Sequence, residues 1–153
     1  MTSARDVRAP LSQSGVSQRR RTLPDVRRVP MSRLVQAIRE SWDGDTSVVP
    51  DWAGSRPSRG QCAVTALVLQ DYLGGDLLRA TVEGTSHYWN RLPDGQIVDL
   101  SREQFDVFEP VNVERRTREY VLSYPDTADR YRMLALRTRD HLLSEPVGDS
   151  IEV

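Results

Sequence analysis

Residues 62–73 read CAVTALVLQDYL and leave almost no polar position on any side of a helix. A helix that is apolar nearly all round has to lie inside a fold, covered by other elements. Gly74 and Gly75 follow at once and stop it in the left-handed manner usual for helix ends. The rest of the chain must therefore cover this segment. Alternating and β-branched stretches predict strands over residues 77–83, 86–92 and 96–100, with a turn at Gly84-Thr85. Helical spacing of Leu34, Val35, Ile38 and Trp42 predicts a helix over 33–42, capped by Ser32. A last helix starts at Asp126 or Thr127 and runs to Leu143, with Tyr131, Leu134, Ala135, Thr138 and Leu142 inward. The expected class is α+β: a central apolar helix on a small antiparallel sheet, with a C-terminal helix.

At 153 residues the chain has room for one domain, expected over 31–143, between a disordered basic tail at 1–30 and a short tail at 144–153. A net charge of −1 excludes a nucleic-acid binder by overall charge, beyond weak contact by the Arg-rich tail. No apolar run approaches the roughly 20 residues of a membrane span. The first 30 residues lack the apolar stretch of a signal peptide, so the cytoplasm is the expected compartment. All 21 basic residues are Arg, which removes lysine Schiff-base chemistry. One Cys excludes an internal disulfide, and one Cys with two His is too few for a conventional structural zinc site. No metal and no other cofactor is expected.

The single cysteine, Cys62, stands at the start of the apolar helix. A cysteine is nucleophilic as thiolate, and a helix N-terminus favours that form. Gly60 allows a sharp turn into the helix. The Cys62 N–H is a donor for an oxyanion, and the Gln61 amide is a second candidate. Residues 43–59 carry Gly44, Pro50, Gly54 and Pro57 and read as a long loop that could wall a cleft, with Trp52 inside it. Residues 101–104 (SREQ) have the form of a capping box, so a short helical turn should follow. Residues 106–114 read as irregular or extended.

Pro93-Asp94-Gly95 suits a three-residue hairpin loop, with Gly95 in the left-handed conformation. That loop pairs Leu92 with Gln96, Asn90 with Val98 and Trp89 with Asp99. Side chains alternate with period two, so His87 shares a face with Trp89 and Asp99. Diagonal neighbours lie roughly 7–8 Å apart at the backbone, within side-chain reach. A carboxylate there orients an imidazole and fixes its tautomer. A two-residue loop would put His87 and Asp99 on opposite faces. Trp89 and Trp52 are the candidate substrate-binding aromatics, although packing accounts for either. His141, on the last helix, reads as a surface or packing residue.

The blocks RESW, GQCAVTALVLQDYLGG, SHYWNRLPDG, VDLSREQF and YPDTADRYRML, over residues 31–140, resemble the YunG family of small bacterial proteins. The resemblance implies a minimal papain-like or transglutaminase-like core, with Cys62 as nucleophile, His87 as base and Asp99 as orienter. The implied activity is an intracellular cysteine hydrolase or acyltransferase, acting on an amide, isopeptide or thioester in a peptide or small acyl-containing substrate. Two other readings stand beside it. One is a non-catalytic binding module on the same fold with a structural Cys62. The other is a redox-sensing thiol, for which the chain offers no resolving Cys.

Overall fold

The computed structural model describes residues 29–144, so residues 1–28 of the predicted basic tail and 145–153 of the C-terminal tail lie outside the described residues. The elements are helix α1 (Met31–Ser41), helix α2 (Cys62–Leu73), strands β1 (Asp76–Val82), β2 (Thr85–Arg91), β3 (Ile97–Val98) and β4 (Val111–Arg116), the short helix α3 (Arg118–Leu122) and helix α4 (Pro125–Leu143). The class is α+β, with one four-stranded antiparallel sheet in the order β3-β2-β1-β4.

Helix α2 is the hub, as its apolar sequence requires. Val64, Thr65, Ala66, Leu67, Val68 and Leu69 are all buried. One side packs with Leu34, Ala37 and Ile38 of α1 and Leu134 and Leu142 of α4. The other packs with Leu77 of β1 and Val121 of α3. Full burial of a Leu or Val side chain contributes roughly 1.5–3 kcal/mol, so this helix carries much of the core's stability. Asn90 of β2 is buried and donates from Nδ2 to the Ala66 carbonyl at 2.9 Å, which fixes the helix against the sheet. Arg118 ties three helices: it bonds the Leu67 carbonyl at 3.3 Å, pairs with Asp71 at 2.7 Å and contacts the Tyr131 hydroxyl.

The hairpin register agrees with expectation. Asn90 pairs with Val98, and Leu92 N–H donates to the Gln96 carbonyl at 2.8 Å around a loop with Gly95 at φ 88°. The preceding turn is shifted by one residue. Val82 pairs with Thr85, so the loop is Glu83-Gly84, both at positive φ (48° and 73°), as a two-residue hairpin of primed type requires. Helix α1 begins earlier than expected, after Pro30, and Ser32 does not cap it: the cap position makes no side-chain hydrogen bond.

Two elements were not expected as such, although β4 begins within the 106–114 stretch read as irregular or extended. Strand β4 pairs with β1 alone at the sheet's edge, and most of its residues are exposed on both faces, so its sequence VNVERR carries no core alternation. A register shift opposite Arg79–Thr81, with Asn112 at φ 56°, interrupts it further. Helix α3 is only five residues long. Its start is marked by Thr117, whose hydroxyl accepts from the Tyr120 N–H at 3.1 Å.

Candidate active site

The long loop meets α2 at Gly60, whose φ is +74°. The Gly60 carbonyl accepts from Val48 N–H at 3.0 Å, and Ser47 Oγ donates to the Arg59 carbonyl at 2.7 Å. A Cβ at Gly60 would stand 2.4 Å from Ser47 Oγ and from Val49 Cγ2, so only glycine fits this approach to the helix. Cys62 is thereby held as the first residue of α2, partly exposed. By position, the first-turn N–H groups have no carbonyl partner inside the helix. They remain as donors beside the thiol.

Gln61 does not serve as an oxyanion donor. It is fully buried, and its Nε2 donates to the Asp43 carbonyl at 3.0 Å, anchoring the start of the long loop. Its backbone carbonyl accepts from Thr65 N–H at 3.0 Å, the first intrahelical bond of α2.

His87 Nε2 lies 2.7 Å from Asp99 Oδ2. The side chains are 0% and 8% exposed, so the pair is shielded from water and from salt. With Nε2 taken by Asp99, Nδ1 is the nitrogen on the other side of the ring, and it faces the Gln104 amide. The Cys62 Sγ approaches the Ser86 carbonyl at 3.9 Å, one residue before His87. Helix α2 packs on the sheet face that carries Asn90, whereas His87 and Trp89 project from the other face. The thiol therefore sits at a junction, with the imidazole to one side and the helix-covered face of β2 to the other.

Burial acts to lower the His87 pKa. The hydrogen bond that His87 donates to Asp99, together with the nearby Cys62 thiol, outweighs it and pushes the value up to about 9. A raised folded-state value has a signed consequence. The stabilisation, on the order of 3 kcal/mol, is fully present below about pH 6.5 and is lost as pH rises through about 9. Denaturant unfolding between pH 6 and 10 should show that decline, and Asp99→Asn should flatten it. An unchanged profile in that variant would mean that Asp99 does not set the charge of His87.

Gln104 is the site residue that sequence reasoning missed. Its Oε1 accepts from Gly60 N–H at 3.1 Å, and its Nε2 lies 3.1 Å from His87 Nδ1. Because Gly60 N–H can only donate, the amide orientation is fixed, and its nitrogen offers a proton to Nδ1. That contact suits the neutral ring and opposes the pull of Asp99 and Cys62. Bonds to charged groups are about twice as strong as those between neutral ones, so the net direction stays upward. Protonating Nδ1 requires the Gln104 amide to swing away. The expected capping box is replaced by this contact: residues Arg102–Gln104 form a single 3₁₀ turn, and Ser101 makes no side-chain cap.

An aromatic wall closes the far side of the imidazole. Trp89 stacks on it at 5.6 Å between centroids, and Phe105 and Phe108 meet it edge-on at 4.8 and 5.8 Å. Trp89 is buried with Leu78 and Ala80. It packs behind the ring and is not an open substrate wall, a correction of its expected role. Trp52 stays within its own loop, its indole N–H donating to the Pro57 carbonyl at 3.0 Å. His141 lies at the surface, 3.5 Å from Glu40.

On the helix-covered side, a cavity of about 380 Å³ opens beside the thiol, lined by Ala63, Arg79, Ser86, Tyr88, Arg116 and Tyr120 among others. Ala63 follows Cys62 in α2, and Ser86 carries the carbonyl that the thiol meets. Arg130 of α4 lies close enough to interact with Cys62: burial lowers the Arg130 pKa, and the thiol's charge acts against that. Among the described residues, no group of three or more His, Cys, Asp or Glu is set to hold a metal ion, and no helix is long and apolar enough to cross a membrane.

The family model described as YunG protein matches residues 30–143. A curated protein of Bacillus subtilis (strain 168), named Uncharacterized protein YunG, is 36% identical over 75 residues, covering 49% of this chain and 63% of that relative. The match thus spans less than two thirds of the relative's length. No solved structure matches the chain.

Proposed function

The chain belongs to the YunG family, and on that footing we propose that it is a cysteine hydrolase or acyltransferase of papain-like or transglutaminase-like design. The observation that carries this reading is the 2.7 Å contact of a fully buried His87 with Asp99, beside the partly exposed thiol of Cys62. A buried imidazole with one nitrogen bound to a carboxylate has a fixed tautomer, and its other nitrogen serves chemistry once the Gln104 amide swings away. A thiol at a helix N-terminus next to an imidazolium is the setting in which cysteines ionise.

The proposed reaction has two halves. The Cys62 thiolate attacks the carbonyl of an amide, isopeptide or thioester and forms a carbon–sulfur bond. First-turn N–H groups of α2 hold the oxygen as it becomes negative. His87 gives its Nδ1 proton to the departing amine or thiol, and the acyl group stays on sulfur. Water or an amine then attacks the thioester, His87 takes up the proton, and the thiolate leaves. Asp99 keeps the ring oriented and stabilises its charge throughout. The substrate is a peptide or small acyl compound. A reduced thiol as working group fits the cytoplasm.

Incubation with small acyl thioesters and intact-mass measurement test this. The expected result is one acyl adduct that is lost in Cys62→Ser and released faster when an amine is added. A second reading, a binding module with an idle thiol, draws on the Gln104 amide at His87 Nδ1, which caps the base. A folded protein with no adduct from any thioester, and with ligand binding intact in Cys62→Ser, would favour that reading.

A further inference from the structure

The cavity beside Cys62 is unusual in its charge. Arg79 and Arg116 line it with the hydroxyl-bearing Ser86, Tyr88 and Tyr120, and no carboxylate is among its lining residues. Arg79 lies opposite Tyr88 in the β1–β2 pairing, so both rise from the helix-covered face. Among the described residues Arg79 has no acidic partner. Its Nε donates to Ser86 Oγ at 2.9 Å. Arg116 pairs with Glu114 at 2.5 Å, and its Nε is buried without a hydrogen-bond partner among the described residues. Glu114 offsets one of these charges and leaves the other. Arg130 adds a further positive charge at the rim, since its guanidinium bonds Thr127, which lines the cavity, at 3.3 Å. A half-buried guanidinium without a counter-ion is costly to leave unmatched and is the side chain best suited to grip carboxylate or phosphate.

A second large cavity makes the contrast. It measures about 400 Å³ and is lined by Asp71, Asp76 and Glu119 together with Arg115, Arg118 and Arg116, which borders both cavities. There the charges are already matched, with Arg118 on Asp71 at 2.7 Å and Arg115 on Asp76 at 3.6 Å.

We propose that the cavity beside Cys62 binds an oxyanion group of the substrate, a carboxylate or a phosphate, held by Arg79 and Arg116 with the Tyr120 hydroxyl. The substrate class is thus an acyl compound that carries a negative charge a few bonds from the reacting carbonyl. This assignment rests on Cys62 being the attacking group. The tyrosine rings give the cavity apolar walls, so the segment between the carbonyl and the anion is short and partly apolar.

Two alkylating reagents of nearly equal size separate the anion site from the nucleophile. Iodoacetate is anionic and iodoacetamide is neutral, and each is displaced at carbon by the thiolate with loss of iodide. At neutral pH and low salt, the ratio of the iodoacetate rate to the iodoacetamide rate at Cys62 should exceed that of free cysteine by about tenfold. Added salt should lower it. Arg79→Gln or Arg116→Gln should reduce the iodoacetate rate far more than the iodoacetamide rate, with thermal denaturation confirming that each variant is folded. Protection of Cys62 by succinate, or by inorganic phosphate, then identifies which anion the cavity prefers. A ratio equal to that of free cysteine in the unmodified protein, insensitive to salt and unprotected by either anion, would overturn the proposal. A high ratio with a sluggish iodoacetamide reaction would instead keep the anion site and remove the catalytic reading.

Discussion

Replacing His87 with Gln should slow iodoacetamide labelling of Cys62 at pH 5 by about tenfold or more. Two effects oppose each other. A free thiol is almost wholly un-ionised at pH 5, and a neighbouring imidazolium favours the reactive thiolate. A thiolate stabilised in this way is a weaker nucleophile, which offsets part of the gain. Gln is chosen because His87 fills a buried slot between Trp89, Phe105 and Phe108, and truncation to Ala would leave a cavity there. The rate should be restored in His87→Gln as pH is raised toward 9, where any thiol ionises. Equal rates at pH 5 in both proteins would show that the imidazole does not act on the thiol.

The second large effect is on stability. Gly60→Ala should cost about 2–5 kcal/mol and disturb Cys62 at the same time. The backbone at φ +74° is a left-handed conformation that costs a side-chain-bearing residue about 1–2 kcal/mol. The added methyl would meet Ser47 and Val49 at 2.4 Å, and relieving such overpacking costs a further 1–3 kcal/mol or so. Gly60 N–H also holds Gln104, which in turn touches His87. A shift of the loop would therefore reach the imidazole as well as the helix start. Denaturant unfolding at pH 7 measures the loss, and a cost under about 0.5 kcal/mol would mean that the loop is free to move aside. Gly84 is the control. It too has positive φ, at 73°, but a Cβ there meets nothing within 4 Å, so Gly84→Ala should pay only the backbone term.

What was legible in the sequence was local. The run from Cys62 to Leu73 could only be a buried helix, and the Pro93-Asp94-Gly95 loop set the hairpin register that brings Asp99 to His87. Both depend on short-range rules, apolar periodicity and turn geometry. The rest of the site depends on residues distant in sequence. Gln104 was assigned to a capping box because SREQ has that spacing, yet its amide reaches 17 residues back to His87 and 44 back to Gly60. Phe105 and Phe108 lie in a segment without periodicity, so nothing marked them as the wall around the imidazole. Gln61 was read as an oxyanion donor from its adjacency to Cys62. A side chain one residue before a helix can turn inward, and here it bonds the Asp43 carbonyl. The cationic cavity joins α2, β1, β2, β4, α3 and α4, and of those elements α3 was not foreseen and β4 only as part of an irregular or extended stretch.

The central claim is that Asp99 and Cys62 together hold His87 charged at neutral pH. The direct measurement is an NMR titration of the two histidine side chains, with His141→Gln used to assign the signals. The account predicts that His87 stays protonated through pH 7.5 and titrates near 9, and that its midpoint falls in Asp99→Asn and again in Cys62→Ser. A midpoint at or below about 6.5, unmoved by either substitution, would contradict it.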